Sequence, residues 1–301
     1  MNYYNNEYTS SRQHPSYSYN RTYQDGLYTH MLLEDFSSSF SITFSVSRDD
    51  EKFYRVEPND DKLKNYLSFE DRGFFRYDLD KILQRTMYIL LTTGMAHIEI
   101  VLWKNRENQI IGISLEPFSA ISVLRLPKQH LFFTQKPDKT VQFFSVSSRH
   151  IITLDLKDLG FPRSYFRKLF RRMKPFETNI YSLALKKNKQ NIDFAALTKK
   201  QDFEFLKLTS RIGWFGRHSS NPNFSEAYLL LRSIRFRTLK KRFLEYLLTQ
   251  INLGLTEFQT ELGFSGQITT AEFDTEHTEI RKNMQEGKCG FSTVSDHVFK
   301  V

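Results

Sequence analysis

A single cysteine, Cys289, leaves the chain without an internal disulfide and without the paired thiolates of a cysteine-based zinc site. No apolar run approaches the roughly 20 residues of a membrane-spanning helix. The first 20 residues have no apolar middle of the kind a signal peptide carries. These absences predict an intracellular protein that does not use the membrane. Glycine-rich phosphate loops of the Walker and dinucleotide types are missing, and no serine sits in a nucleophile elbow. His97 and Glu99 form a His-x-Glu pair, but a zinc deaminase also needs two cysteines to hold its metal. On a strand the pair would share one polar face, so it is expected to face solvent. Glu272, Asp274, Glu276, His277 and Glu279 lack the spaced glycine and ligand order of a calcium loop, and are expected to form a solvated acidic tail. Glu99 and Lys104 come nearest to a nuclease's acidic and basic set, yet a turn is expected between them. No catalytic residues, cofactor or metal are therefore expected, and the chain reads as a binding or assembly protein.

What is abundant is aromatic. Among 301 residues there are 28 phenylalanines, enough to build a substantial core. Charge is uneven. From Arg163 to Arg242 there are 20 Lys or Arg against 5 Asp or Glu, so that stretch carries +15 while the whole chain carries +9. A basic block of this density points to a polyanionic partner or to a solvated basic face.

Periodicity divides the chain. Residues 1–30 hold seven of the 15 tyrosines and almost nothing aliphatic, which predicts a flexible arm. Phe36 to Val46 alternates, with Phe40, Ile42, Phe44 and Val46 on one face, and predicts a strand. Asp78 to Thr93 places Leu79, Ile82, Leu83, Met87 and Leu90 on one helical face, with Asp78 as cap and Gly94 as stop. The period then changes to two. Ala96, Ile98, Ile100 and Leu102 oppose His97, Glu99, Val101 and Trp103, and further strands are predicted near 110–115, 121–126, 131–134, 140–146 and 150–154. Pro117 is expected to stop the second of these strands, and Pro137-Asp138 to make a turn. The fold class is α+β, a helix-fed antiparallel β meander followed by long amphipathic helices. The expected division is an arm at 1–30, an α+β domain at 31–160, a helical basic domain at 161–263 and a loose acidic and polar tail at 264–301.

The second half carries the strongest binding signal. Pro162 opens a helix with Tyr165, Phe166, Leu169, Phe170 and Met173 on its apolar face. Arg163, Arg167, Lys168, Arg171 and Arg172 lie opposite. A second helix, expected over 195–208, precedes the longest one, which starts near Asn223 with Glu226 at capping-box spacing. Its stripe is Phe236, Leu239, Phe243, Leu247, Ile251 and Phe258, flanked by Arg235, Arg237, Lys241 and Arg242. Gly254 is expected to bend or end this helix and Gly263 to stop it. Arginine suits phosphate through its bidentate fork, so Arg163, Arg167, Lys168, Arg171, Arg172, Arg235, Arg237 and Lys241 are the candidate nucleic-acid contacts.

The run Leu90-Leu91-Thr92-Thr93-Gly94-Met95-Ala96-His97-Ile98-Glu99-Ile100-Val101, followed by Gln109-Ile110-Ile111-Gly112-Ile113-Ser114-Leu115-Glu116-Pro117, resembles the wing segment of tailed-phage portal proteins. His150-Ile151-Ile152 resembles the family's strand before the stem. Gly160-Phe161-Pro162-Arg163-Ser164 is similar to its helix start, and Asn223 to Leu255, with Ile251-Asn252, to the helix that closes its core. The resemblance covers about 80–255. It implies a wing-like domain and a stem, a homo-oligomeric ring at a capsid vertex, and a location in the virion or host cytoplasm. It also implies DNA passage through phosphate contacts, and capsid and packaging-motor proteins as partners. A nucleic-acid-binding protein that forms no ring is the second expectation, and a metal-dependent nuclease the third.

Overall fold

The computed structural model describes residues 9–13, 26–37, 54–68, 75–135, 140–177, 193–216, 225–270, 282–283 and 286–288. In chain order the elements are β1 (Thr9–Ser10), α1 (Leu27–Ser37), β2 (Tyr54–Glu57), α2 (Asp61–Leu67) and α3 (Phe75–Thr93). Then come β3 (Met95–Lys104), β4 (Ile110–Phe118), β5 (Ile121–Arg125), β6 (Gln129–Gln135), β7 (Val141–Ser147) and β8 (Ile151–Asp155). The remainder is α4 (Tyr165–Met173), α5 (Phe194–Leu208), α6 (Glu226–Leu262) and β9 (Gln267–Thr270). Helices and antiparallel sheets make the class α+β. The chain forms two compact units, and the first draws on three stretches, 1–22, 37–164 and 243–271. The second consists of 23–36, 165–242 and 272–301, so α6 contributes its first 17 residues to one unit and the rest to the other.

In the first unit α3 feeds β3. Leu79, Leu83, Met87 and Leu90 are buried along one stripe, as their spacing predicts. The helix starts at Phe75, so Asp78 lies inside it and is not its cap. Gly94 ends it at φ +87°, and a Cβ there would come within 2.2 Å of the Arg163 carbonyl oxygen. Only glycine satisfies both the left-handed turn and that approach.

The predicted single meander is two sheets. β3 pairs along its length with β4, and β8 returns to pair with Met95–Glu99 of β3, while β5, β6 and β7 form a separate sheet. Pro117 does not stop β4, which continues to Phe118. The small sheet lies over the face of β3 that carries His97 and Glu99. Phe118, Phe132 and Val146 form a buried cluster there, and the His97 ring sits 4.8 Å from that of Phe132. His97 and Glu99 are 1% and 0% exposed, which corrects the expectation of a solvent-facing pair. Alternation shows that two faces differ but not that a second sheet covers the more polar one.

The other face of β3 meets α6. A Cβ on Gly254 would lie 2.6 Å from the Ile152 Cγ1 and 3.2 Å from the Ile100 Cδ1. The helix does not end at this glycine, and the missing side chain lets it approach the sheet. Gly263, at φ +67°, is the stop. Within the stretch expected to be a loose tail, Gln267–Thr270 pairs with β2. Asp60 fixes this corner. One of its oxygens caps α2 through Lys62 and Leu63, and the other accepts from the backbone of Ser265 and Gly266 at 2.6 and 3.0 Å. Those four donors hold its carboxyl below the usual carboxylate range, Ser265 contributing most.

Two further expectations change near the N-terminus. Thr9–Ser10 pairs with Lys104 and Trp103, so part of the predicted free arm is docked. Phe36, placed at the start of a strand, is the buried end of α1, and the remaining residues of that strand lie outside the described ones. The Pro137-Asp138 turn, Asn223 and the 272–279 acidic cluster also lie outside the described residues.

The second unit is aromatic at its centre. Phe36 meets Phe166 edge-on at 5.7 Å and Phe236 at 5.1 Å between ring centroids. Tyr28, Phe205 and Trp214 form a neighbouring group, and the Trp214 indole donates to Asp35 at 2.7 Å.

Candidate nucleic-acid interface

α4 is amphipathic because its apolar residues recur at three- and four-residue spacing. Phe166, Leu169, Phe170 and Met173 are buried, Tyr165 is half-buried, and each fully buried side chain contributes about 1.5–3 kcal/mol. This burial fixes the helix rotation and turns Lys168, Arg171 and Arg172 to solvent, all three exposed. Among the described residues, no carboxylate pairs with any of the three. Arg167 is half-buried, and its Nε is enclosed without a hydrogen-bond partner among the described residues.

Arg163 behaves differently. It lies in the first unit, where it grips Asp155. Partial burial opposes ionisation of Asp155, but the Arg163 hydrogen bonds, the Lys157 amide and the charges of Arg163 and Lys157 together outweigh it and hold the carboxyl below its usual range. The guanidinium gains correspondingly. Arg163 is thus part of a turn lock, apart from the α4 cations.

The α6 candidates are only partly open. Arg235 is exposed but donates to the Ser210 carbonyl at 3.0 Å, and Arg237 and Lys241 are half-buried. Phe166 of α4 and Phe236 of α6 both meet the Phe36 ring on their buried sides.

Sequence reasoning missed Arg232, three residues before Arg235 and 4% exposed. It donates to the carbonyls of Leu206 and Trp214 at 3.0 and 2.6 Å, to Thr209 Oγ1 at 2.8 Å and to the Tyr228 hydroxyl at 3.3 Å. Burial pulls its pKa below the usual arginine value, with the Tyr228 hydroxyl opposing. This arginine ties α5, the following turn and α6 together and is not available to a ligand. Its position within the buried stripe around Leu229, Leu230 and Ile234 was the available signal.

The polar face of β3 does not assemble a hydrolytic set. Glu99 and Lys104 are five residues apart on one strand, roughly 17 Å. Glu99 Oε1 accepts the Gln13 amide at 2.6 Å. His97 Nδ1 contacts Thr153 Oγ1 at 3.2 Å, and Nε2 is buried without a partner among the described residues. Burial, with the nearby Arg125, His130 and Arg163 charges, pushes the His97 pKa down to about 3, so the ring is neutral at pH 7.

A second surface is apolar. On the outer face of the small sheet Ile121, Phe133 and Phe143 form one cross-strand row. Ile121 and Phe143 are 59% and 71% exposed, with Leu124 and Val141 nearby also open. No family model matches the chain, and no curated protein matches it in sequence.

Proposed function

We propose that this chain is a structural, ring-forming, portal-like protein of a viral capsid vertex, which gives DNA passage during packaging and docks the packaging motor without catalysing a reaction itself. The observation that carries the reading is the α4 surface. Lys168, Arg171 and Arg172 are exposed on a helix whose opposite face buries Phe166, Leu169, Phe170 and Met173. Cations fixed in this way attract a phosphate backbone by counterion release and read no bases, which suits a conduit for DNA of any sequence. The apolar row Ile121, Phe133 and Phe143 supports the assembling half of the reading, because a contiguous exposed patch of large apolar side chains marks a protein contact. The order of helix, glycine stop, hairpin, return strand and closing helix also supports it.

Mass measurement in solution, with negative-stain imaging, tests the proposal. A closed cyclic oligomer is expected. Strictly monomeric protein at high concentration, with capsid partners present, would end the ring reading. A monomer or dimer that still binds DNA in a salt-dependent way would favour the second reading, a nucleic-acid-binding protein that uses α4 alone.

A further inference from the structure

β3 has one edge filled by β4 and another filled in two halves. β8 covers Met95–Glu99 of that second edge, and the N-terminal segment covers its far end, with Thr9 and Ser10 opposite Lys104 and Trp103. Ser11 extends the contact. Its amide donates to the Leu102 carbonyl at 3.0 Å, and its hydroxyl accepts the Leu102 amide at 2.8 Å. Arg12 then reaches Glu116 at 2.8 Å, the Gln13 amide reaches Glu99, and Gln13 Oε1 accepts the Ser147 amide at 2.7 Å. Five consecutive residues therefore meet β3, β4 and β7.

Two properties of this docking pull in different directions. The groove is costly to leave empty, because the segment supplies a hydrogen bond to Glu99, a fully buried carboxylate, and pairs the backbone of Leu102. The segment itself is shallow. Thr9, Ser10, Arg12 and Gln13 are all exposed, so it can leave without uncovering a core side chain of its own. The groove thus specifies the sequence of its occupant but not which copy of the chain supplies it. Residues 14–25, twelve in all, separate Gln13 from Gly26 at the start of α1. Fully extended, they reach roughly 40 Å.

We propose that this groove is a subunit contact, and that in the assembled protein Thr9–Gln13 of one copy lies on β3 of a neighbouring copy. The inference rests on the ring reading and gives it an interface. Exchange of an identical segment keeps every one of these bonds, so only effective concentration decides between the segment of the same chain and that of a neighbour. In a ring whose neighbouring grooves lie within the linker's reach, the neighbour's segment competes with the chain's own. Each subunit gives one segment and accepts one, a head-to-tail relation that closes on itself in a ring.

A disulfide trap tests this. Thr9 and Lys104 are Cα partners in an antiparallel pair, about 4.5–5.5 Å apart, a separation a disulfide spans. In the full chain carrying Cys289→Ser, Thr9→Cys and Lys104→Cys are made singly and together. When the two single variants are co-produced and oxidised, a covalent dimer is expected that neither gives alone. The double variant is expected to give a ladder of linked chains. Single chains from the co-produced pair, with the double variant closing only upon itself, would overturn the proposal, as would no crosslink in any sample. Solution mass separates the two readings. A ring with intrachain crosslinks sinks exchange and leaves the ring; a monomer sinks both; a crosslinked dimer keeps exchange and sinks the ring.

Discussion

Arg163 holds Asp155 through two nitrogens: Nε lies 3.1 and 3.0 Å from the two carboxylate oxygens, and Nη2 lies 2.6 Å from Oδ2. The pair closes the turn whose backbone packs against Gly94, and it engages the Arg163 guanidinium with a carboxylate. Arg163→Ala is therefore expected to leave DNA affinity and its salt dependence unchanged. It should lower stability by about 1 kcal/mol or less, because the guanidinium is 43% exposed and solvent screens the pair. Urea unfolding and a DNA titration on the same preparation check both halves. A loss of DNA affinity without a loss of stability would return Arg163 to the interface.

Arg171 and Arg172 predict the opposite pattern. Both are exposed at the end of α4, so replacing them with Ala should change folding stability by no more than about 0.5 kcal/mol. Each phosphate contact contributes roughly −0.9 to the slope of log affinity against log salt. The double substitution should therefore shallow that slope by roughly 1.8, equally for DNA of any sequence. If affinity and slope stay fixed while the oligomer weakens, these arginines meet a neighbouring subunit, and α4 does not face DNA.

How much of this was legible depended on distance along the chain. The α3 stripe, the Gly94 stop, the alternation of β3 and the buried face of α4 are each encoded within a dozen residues, so periodicity exposes them. The burial of His97 is not, because Phe132, which packs against its ring, belongs to a different sheet. Arg232 and Arg235 are the same residue type three positions apart, yet one is enclosed by Leu206, Thr209 and Trp214 while the other is open. Nor does anything local mark Gln13 as the donor to Glu99, Asp60 as the anchor of Ser265, or Asn252, whose amide bonds both backbone groups of Ile268. Long-range bonds from side chain to backbone leave no period to read.

His97 gives a pH prediction. Its pKa in the folded chain is about 3, against an ordinary value of 6.5. As pH falls below 6.5 the unfolded chain takes up a proton that the folded chain refuses. The stability associated with the neutral ring is therefore complete above pH 6.5 and is lost progressively toward pH 3. The loss is at most about 1.4 kcal/mol per pH unit. Carboxylates also titrate in this window, so the measurement is the difference between the original chain and His97→Gln in urea unfolding at several pH values. The Gln variant should lose less stability on acidification. Parallel pH profiles would show that this ring is not the acid-sensitive group.

Gly254 offers a test in which two physical effects predict opposite signs. In an open helix, Gly→Ala stabilises by roughly 1 kcal/mol, because alanine restricts the unfolded chain and favours helix. Gly254 lies inside a 37-residue helix, away from either end turn, so propensity alone favours the substitution. Packing opposes it. The added carbon would sit 2.6 and 2.7 Å from the Ile152 Cγ1 and Cδ1, and 3.2 Å from the Ile100 Cδ1. Ile152 is 4% exposed and Ile100 is 0% exposed, so neither can swing into solvent. Overpacking of this kind costs about 1–3 kcal/mol. The net expectation is that Gly254→Ala destabilises the chain, and that Gly254→Ala combined with Ile152→Val recovers part of the loss by removing the Cδ1 contact. Urea midpoints of the three chains decide the matter. Stabilisation by Gly254→Ala alone would mean that α6 stands further from β3 and β8 than described, and that the glycine serves a bend after all.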